Sequence, residues 1–377
     1  MEKSSGFKVG FPIGAVFFGS LVGPSMISGI YAKVYFVPYG AWAFVFALSF
    51  PLICGFIVGF SAELARRYKV YDYNSFCRVL YGRFSPVCTP LMELYMLMAQ
   101  ILTLSAVVSM GGTFMHQIAG WPPLGGALFL GLTCLILVLR GAAMIRRLAS
   151  LFCVLLAAGF ALLTGAALYC QWEQFAFIVS AWYVPPEADL GFGTWRALLF
   201  GFSGACNGMV LCALMQKVET RKHSFATGLW SFILTAFVLF LEVMVILPYT
   251  PDVMASDVPT MWIIQNFLID ILPAAATIYF VVMFFALLTS GVPAYQAIIA
   301  RAAKTLPAEG FWSRPLAQRL LIGVVFLGVV LLISRLGLTT IVSRGYSTLG
   351  AIGIPLIAIP TCVLAPLRWR KERKLSG

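Results

Sequence analysis

The sequence has few charged residues and very few of the side chains that build most catalytic sites. Aspartate, glutamate, lysine and arginine make up 11% of the 377 residues, whereas soluble domains usually contain about 25%. Only 14 residues are acidic and only two are histidine. With 61% hydrophobic residues and a mean hydropathy of +0.93, the chain has more apolar surface than a water-soluble core can bury. A membrane protein is therefore predicted.

Patterns for metal binding and for nucleotide hydrolysis are also missing. The nine cysteines are scattered and form no Cys-x-x-Cys pair, and two histidines complete no zinc spacing. We interpret the cysteines as small apolar packing residues. No Gly-x-x-x-x-Gly-Lys-Ser/Thr motif is present, so this chain is not expected to pump solutes with ATP. No cofactor is predicted.

The apolar residues form ten stretches that are each long enough to cross a bilayer. A spanning helix needs about 20 mostly apolar residues, and the chain shows no alternating strand pattern. Because open sheet edges cannot be satisfied in lipid, the predicted fold class is all-α. The ten predicted spans are residues 9–30, 40–62, 87–115, 122–140, 148–170, 194–216, 225–248, 271–300, 317–335 and 346–367.

The distribution of positive charge predicts how these spans are oriented. The net charge of +12 could indicate nucleic-acid binding, but the basic residues lie in short connections and form no single stripe. With both termini in the cytoplasm, 22 of the 26 lysines and arginines lie on that side, as the positive-inside rule requires. The four on the outer side are Lys33, Arg196, Arg335 and Arg344. The expected partner is the bilayer and not a nucleic acid.

Two connections between spans carry structure of their own in this prediction. Residues 63–85 mix tyrosine and phenylalanine with arginine, which predicts an amphipathic helix at the cytoplasmic interface, as a gate or as a plain connector. Residues 250–269 form a long outer loop with a short helix after Pro259. Long loops on the access side of a carrier often belong to a lid.

The first and sixth spans contain the residues that interrupt helices. The stretch of the first span that begins at Gly14 has four glycines with Pro24 near its middle, and Pro24 disfavours a helical conformation at Gly23. The sixth span is similarly small and polar at its centre, around Ser203, Gly204 and Asn207. Backbone groups released at such breaks cannot face lipid, so they are expected to line a cavity inside the protein.

Breaks in spans one and six divide ten spans into two halves of five. Five is odd, so the second half enters the membrane in the opposite direction, as in transporters built from inverted repeats around a midplane site. One transmembrane domain is therefore expected over residues 1–377. Its first repeat covers about 9–170, its second about 194–367, and a basic cytoplasmic tail covers 368–377.

These features resemble the amino acid–polyamine–organocation superfamily, whose members have the LeuT-type fold. Within it, the segments Val22-Gly23-Pro24-Ser25 and Ser28-Gly29 resemble the start of the YkvI-like bacterial membrane proteins. That family continues with Gln-Glu, whereas this chain has Ile30-Tyr31, which removes a carboxylate from this place. The resemblance implies a secondary transporter in the bacterial inner membrane.

The same resemblance implies a sodium site. Sodium-coupled members hold Na⁺ between the broken first helix and the eighth, through a Gly-x-x-Val pattern and an Ala-x-x-Thr-Ser pattern. This chain has Gly19 and Val22 before the first break, and Ala286, Thr289 and Ser290 in its eighth span. The last three share one helical face. The alternative is that both hydroxyls bond only to their own helix.

Other polar groups at membrane depth are candidates for substrate and proton binding. Glu93 in span three and Glu242 in span seven could each carry a coupled proton, or could be interfacial carboxylates bonded to a neighbouring helix. Tyr31, Tyr95 and Phe202 are candidates to cap the site. The predicted substrate-binding residues are Gly23, Ser25, Ser28, Ser203, Gly204 and Asn207.

The leading hypothesis is a secondary carrier for a small solute, an amino acid or related amine, coupled to Na⁺ or H⁺. A channel or facilitator is the alternative within transport, and it would not accumulate solute against a gradient. A receptor or sensor on the same scaffold would bind ligand without moving it, since fold does not fix function. A membrane enzyme is not expected, because the acids of the inner loops stand apart from one another.

Overall fold

A computed structural model describes residues 6–21, 23–140, 158–204, 211–271, 273–303, 315–367 and 369. Within these ranges the chain is helical and has no β-strand. In the part of the chain that the structure describes, seven helical segments are long and apolar enough to cross a membrane, and two shorter apolar helices accompany them. The seven are Ala32–Tyr68, Tyr73–Ala119, Pro123–Arg140, Arg221–Tyr249, Ala275–Ala303, Leu316–Ser334 and Leu338–Leu367. The chain is therefore an all-helical, multi-pass membrane protein.

Short polar side chains mark the points where several helices begin. Asp72 accepts a hydrogen bond from the backbone N–H of Ser75 at 2.9 Å, and Asp189 accepts one from Phe192 at 2.9 Å. Each satisfies an N–H group that the first helical turn leaves unpaired.

The helices, in chain order, are α1 (Gly6–Leu21), α2 (Pro24–Ile27), α3 (Ala43–Tyr68), α4 (Tyr73–Tyr81), α5 (Ser85–Ala119), α6 (Pro123–Arg140), α7 (Ala158–Cys170), α8 (Trp172–Ser180), α9 (Leu190–Ser203), α10 (Arg221–Ile246), α11 (Pro259–Ile263), α12 (Ala275–Ala303), α13 (Pro315–Ser334) and α14 (Leu338–Leu367).

Each predicted span overlaps a helix in the part of the chain that the structure describes. The fifth and sixth spans are only partly covered, because residues 141–157 and 205–210 lie outside that part. The count of ten spans therefore stays a prediction. The expected short helix after Pro259 is present as α11.

The first span extends further than the sequence pattern indicated. Residues 9–30 were the predicted range, with Lys33 in the outer loop, but the helix continues through Ala32–Phe36 and includes Lys33. The side chain is only 8% exposed, and its Nζ donates a hydrogen bond to the Ser256 carbonyl at 2.7 Å. Hydropathy predicts a loop at Lys33 because it counts the residue only as a charge. It does not include the long aliphatic part of the side chain, which can carry the ammonium group to a polar partner.

Residues 63–85 do not form the single amphipathic helix that the sequence predicts. Residues 63–68 complete α3, which ends where Lys69 adopts a left-handed conformation with φ of 53°. A separate short helix, α4, follows, and it buries Phe76, Cys77 and Leu80 against the protein. The apolar face that suggested contact with lipid packs on neighbouring helices instead.

Glycines let α10 approach both α3 and α1 closely. A Cβ atom on Gly228 of α10 would lie 2.6 Å from the carbonyl oxygen of Gly55 in α3. A Cβ atom on Gly10 of α1 would lie 2.7 Å from the backbone of Ala226. Small residues at such crossings allow membrane helices to pack backbone against backbone. Helix α1, the first part of the broken span, therefore packs closely on α10, which packs closely on α3.

Candidate functional site

The first span is interrupted at Gly23, as its sequence predicts. Helix α1 ends at Leu21, Gly23 is extended with φ of −132° and ψ of −177°, and α2 begins at Pro24. Proline has no N–H to continue the preceding helix, but its fixed φ suits the first position of a new one. The Gly23 carbonyl accepts a hydrogen bond from Met26 at 3.1 Å and so starts α2.

A second interruption follows one turn later, at Ser28 and Gly29. Gly29 has a φ of +80°, and a Cβ atom there would lie 2.6 Å from the Ile246 side chain, so glycine is required on both counts. The Ser28 hydroxyl donates to the Ser25 carbonyl at 2.9 Å. The Ser28 carbonyl accepts from the N–H of Thr260, at 3.0 Å, which docks α11 of the outer loop onto this break.

The described α-helix of the sixth span ends within the region where the break is expected, and residues 205–210 beyond it lie outside the described residues. Helix α9 ends at Ser203, and Gly204 packs so close to Phe50 that a Cβ atom would lie 2.6 Å from the ring. The Ser203 hydroxyl donates to the Phe200 carbonyl of its own helix at 2.6 Å. Asn207 lies outside the described residues.

One of the predicted sodium ligands, Ser290, lies beside the first break. A Cβ atom on Gly23 would lie 2.9 Å from the hydroxyl oxygen of Ser290, so the first break faces α12 directly. Further along, the Tyr279 hydroxyl of α12 donates to the Ile27 carbonyl at 3.4 Å. Helix α12 therefore lines the whole of α2, from its first residue to its last.

The remaining members of that set differ in their surroundings. The Thr289 hydroxyl donates to the Ala286 carbonyl at 3.1 Å, which is the own-helix bond that the alternative interpretation expects. Ala286 is buried, and Gly19 lies in the last turn of α1. Val22 lies outside the described residues.

Glu242 is a fully buried carboxyl group beside the second interruption. Its Oε1 accepts a hydrogen bond from the backbone N–H of Ala32 at 3.0 Å, where the first span resumes its helix. Its Oε2 has no hydrogen-bond partner among the residues that the structure describes. A buried carboxyl group with one oxygen unsatisfied is costly unless a proton or a cation also binds there.

Glu93 has a different environment. Its Oε2 lies 3.2 Å from Nε of Arg301, at the end of α12, and the Glu93 side chain is 42% exposed. The Glu93 carboxylate is thus bonded to a neighbouring helix, which is one feature of the alternative to proton coupling.

Aromatic rings from three spans meet beside the first break. The ring centroid of Tyr31 lies 4.8 Å from that of Phe200 and 6.0 Å from that of Tyr346, and Tyr35 stacks on Phe200 at 4.4 Å. Sequence reasoning identified Tyr31 but not the other rings, because no local pattern marks residues that meet only through packing.

The other two expected aromatic residues meet at a different helix. A Cβ atom on Gly353 of α14 would lie 3.0 Å from both the Tyr95 hydroxyl and the Phe202 carbonyl. Gly353 therefore lets α14 approach α5 and α9 together.

Comparison with known proteins finds similarity at the level of structure. No protein-family model matches the sequence, and no curated protein matches it. A Na⁺-coupled sialic acid symporter is 13% identical over 94% of this chain and 79% of its own, with a TM-score of 0.59. A mutant of the Eremococcus coleocola manganese transporter is 13% identical over 96% of this chain and 80% of its own, with a TM-score of 0.61.

A third solved structure matches over nearly its whole length. MhsT in complex with L-phenylalanine is 16% identical over 97% of each chain, with a TM-score of 0.64. None of these similarities bears on the YkvI-like resemblance. They show the fold: this multi-pass membrane protein shares the LeuT-type architecture of these transporters.

Proposed function

We propose that the protein is a secondary active transporter of a small solute, an amino acid or related amine, coupled to Na⁺ or H⁺. The observation that carries this proposal is the double interruption of the first span at Gly23 and Ser28–Gly29, buried against α12. Discontinuous membrane helices expose backbone N–H and C=O groups inside the protein, where they can bind a solute and its coupling ion.

The proposed substrate site consists of the backbone and hydroxyl groups around both breaks. N–H groups and the hydroxyls of Ser25 and Ser28 suit a carboxylate, while carbonyls at helix ends suit an ammonium group. Tyr31, Phe200 and Tyr346 supply an aromatic wall for a side chain. The proposed binding residues are Gly23, Ser25, Ser28, Ser203, Gly204 and Asn207.

The proposed sodium site lies between the end of α1 and α12. Its ligands would be backbone carbonyls of the Gly19–Val22 segment and of Ala286, and the hydroxyls of Thr289 and Ser290. Oxygen ligands of this kind suit a hard cation. The close approach of Gly23 to Ser290 supports this proposal, because it places the end of the broken helix beside α12.

Proton coupling through Glu242 is the alternative to sodium coupling. The carboxyl group bonds to the backbone of the first span just beyond its second break, so gain or loss of a proton would change how that segment is held. Glu93 is the less favoured proton site, because it is paired with Arg301 and partly exposed.

The proposal includes ten spans in two inverted repeats, over about 9–170 and 194–367, with both termini in the cytoplasm. The location is the inner membrane of a bacterium. This arrangement follows from the hydropathy, the charge distribution and the LeuT-type fold.

The test is uptake of radiolabelled amino acids into proteoliposomes that contain the purified protein. An imposed Na⁺ gradient, an imposed pH gradient and no gradient are compared. We expect accumulation against a concentration gradient in one of the first two conditions only. Equilibration without accumulation would identify a facilitator, and ligand-induced thermal stabilisation without uptake would identify a receptor.

A further inference from the structure

A groove of about 650 Å³ lies along the outer side of the crossing between α3 and α10. Its floor is formed by glycines at the crossing of the two helices, and larger apolar side chains form its walls. Phe56 on α3 is 57% exposed, and Phe225 and Leu229 on α10 are 70% and 41% exposed. Exposed apolar walls on a membrane protein face the acyl chains of lipid.

One end of the groove is polar and the rest is apolar. Glu63, Arg67 and Trp369 line this end together with Arg221, the first residue of α10. By the distribution of basic residues, it is the end predicted to lie at the cytoplasmic surface. Tryptophan is typical of that depth in a bilayer, where an apolar ring meets polar groups.

The polar end has an excess of positive charge. Glu63 is the one acid among the lining residues, and both its oxygens accept hydrogen bonds from Arg66, at 2.9 Å and 2.7 Å. Arg67 donates only its Nε to Glu63, at 2.7 Å, and its guanidinium lies 4.6 Å from the centre of the Trp369 ring. Arg66 thus neutralises Glu63, and the charges of Arg67 and Arg221 remain.

The length of the apolar part fits one leaflet of a bilayer. From Glu63 at the polar end to Leu52 at the far end of the lining, α3 advances about 16 Å at 1.5 Å per residue. Half of a hydrocarbon core of about 30 Å is about 15 Å. A chain anchored at the arginines would therefore reach the bilayer midplane along this groove.

We propose that this groove binds one anionic phospholipid of the cytoplasmic leaflet. Its phosphate contacts Arg67 and Arg221, and one acyl chain lies over the glycine floor between the apolar walls. Guanidinium groups bind phosphate oxygens through paired, charge-assisted hydrogen bonds. A headgroup with a net negative charge is favoured over a zwitterionic one, because it has no cation of its own that the two arginines would repel. The site is separate from the proposed substrate and ion sites and does not depend on them.

The experiment is native mass spectrometry of delipidated protein in detergent, titrated with phosphatidylglycerol or with phosphatidylcholine of the same acyl chains. We expect phosphatidylglycerol to bind as one retained adduct at lower concentration than phosphatidylcholine. Arg221→Gln should reduce that preference roughly fivefold, the effect of one basic residue at a charged membrane surface. Arg67→Gln should act in the same direction.

Matched variants separate this site from general surface effects. Arg140→Gln removes an exposed arginine at the end of α6, and should leave the preference unchanged. Leu229→Trp fills the groove and should weaken binding of both lipids, whereas Leu132→Trp, at a position 40% exposed on α6, should not. Thermal unfolding without lipid checks that each variant is folded.

Three results would overturn the proposal. Equal binding of the two lipids would show that the arginines do not select a headgroup with a net negative charge. An equal loss in Arg140→Gln would show that the effect belongs to the whole surface. Binding that appears only after deletion of residues 370–377 would assign the groove to the tail of the chain.

Discussion

Gly23 of the broken first span and Ser290 of α12 are in direct contact, because a Cβ atom on Gly23 would lie 2.9 Å from the Ser290 hydroxyl oxygen. This relationship joins the residue that interrupts the first helix to a predicted sodium ligand. The extended conformation of Gly23 is open to any residue, so the close approach, and not the backbone angle, requires glycine here. The first two predictions follow from this contact.

Gly23→Ala should displace the Ser290 hydroxyl and weaken sodium-dependent uptake roughly tenfold, the effect of about 1.4 kcal/mol of lost binding. The measurement is the Na⁺ dependence of uptake in proteoliposomes. Gly328→Ala is the matched control, because nothing lies within 4 Å of a Cβ atom at that position of α13. Equal effects in the two variants would contradict a specific role for the contact.

Thr289→Ala and Ser290→Ala should each reduce the affinity for Na⁺ roughly tenfold, since hydrogen-bonding or ligand contacts to a charge contribute about 1.5–3 kcal/mol. Sodium-induced thermal stabilisation of purified protein is the readout. Thr133→Ala is the control, because the exposed Thr133 also bonds only to its own helix, at 2.8 Å. If all three variants keep the sodium response, the hydroxyls have only the own-helix role.

Glu242→Gln should abolish the pH dependence of uptake while the protein remains folded. Glutamine keeps an acceptor for the Ala32 N–H but cannot exchange a proton in this range. Glu93→Gln should change little, because a partly exposed ion pair contributes about 0–1 kcal/mol. Uptake measured across a range of pH distinguishes them, and the reverse pattern would assign coupling to Glu93.

Gly29→Ala should destabilise the protein by more than backbone strain alone. An alanine in a left-handed conformation costs about 1–2 kcal/mol, and the added Cβ atom would also meet Ile246 at 2.6 Å. Gly120→Ala isolates the first effect, because Gly120 is in the left-handed conformation, with φ of 68°, and nothing lies within 4 Å of a Cβ atom there. Thermal unfolding of both variants gives the comparison. Equal losses would show that the packing at Gly29 has no separate importance.

Local sequence rules locate the break at Gly23 but not the second interruption of the same span. Pro24 disfavours helix at its own neighbour, so the break at Gly23 could be predicted without knowledge of the fold. The second interruption at Ser28–Gly29 was not predicted, because a glycine alone does not distinguish a packing position from a left-handed turn. The contacts that depend on this interruption are made by Ile246, beside Gly29, and by Thr260, which bonds to Ser28. Both residues come from another part of the chain.

Sequence patterns predict the environment of a residue well where that environment depends on its neighbours in the chain. They differ from the structure where a residue distant in sequence determines the environment. Lys33 was assigned to a loop, but the Ser256 carbonyl allows its ammonium group to be held at the edge of the protein interior. Residues 63–85 are predicted to form one amphipathic helix at the cytoplasmic interface, but α3 ends at Tyr68, and the apolar side of the separate helix α4 packs on neighbouring helices.

The sequence by itself determined that the protein lies in a membrane, that its backbone is helical, and that the first helix breaks before Pro24. These properties follow from transfer free energies and from covalent limits on the backbone, which act within a few residues. Only the tertiary structure decided that Gly23 faces Ser290 and that Glu242 bonds to Ala32, 210 residues away. Such contacts depend on which helices approach each other at their glycines, and that choice is made by packing across the whole chain.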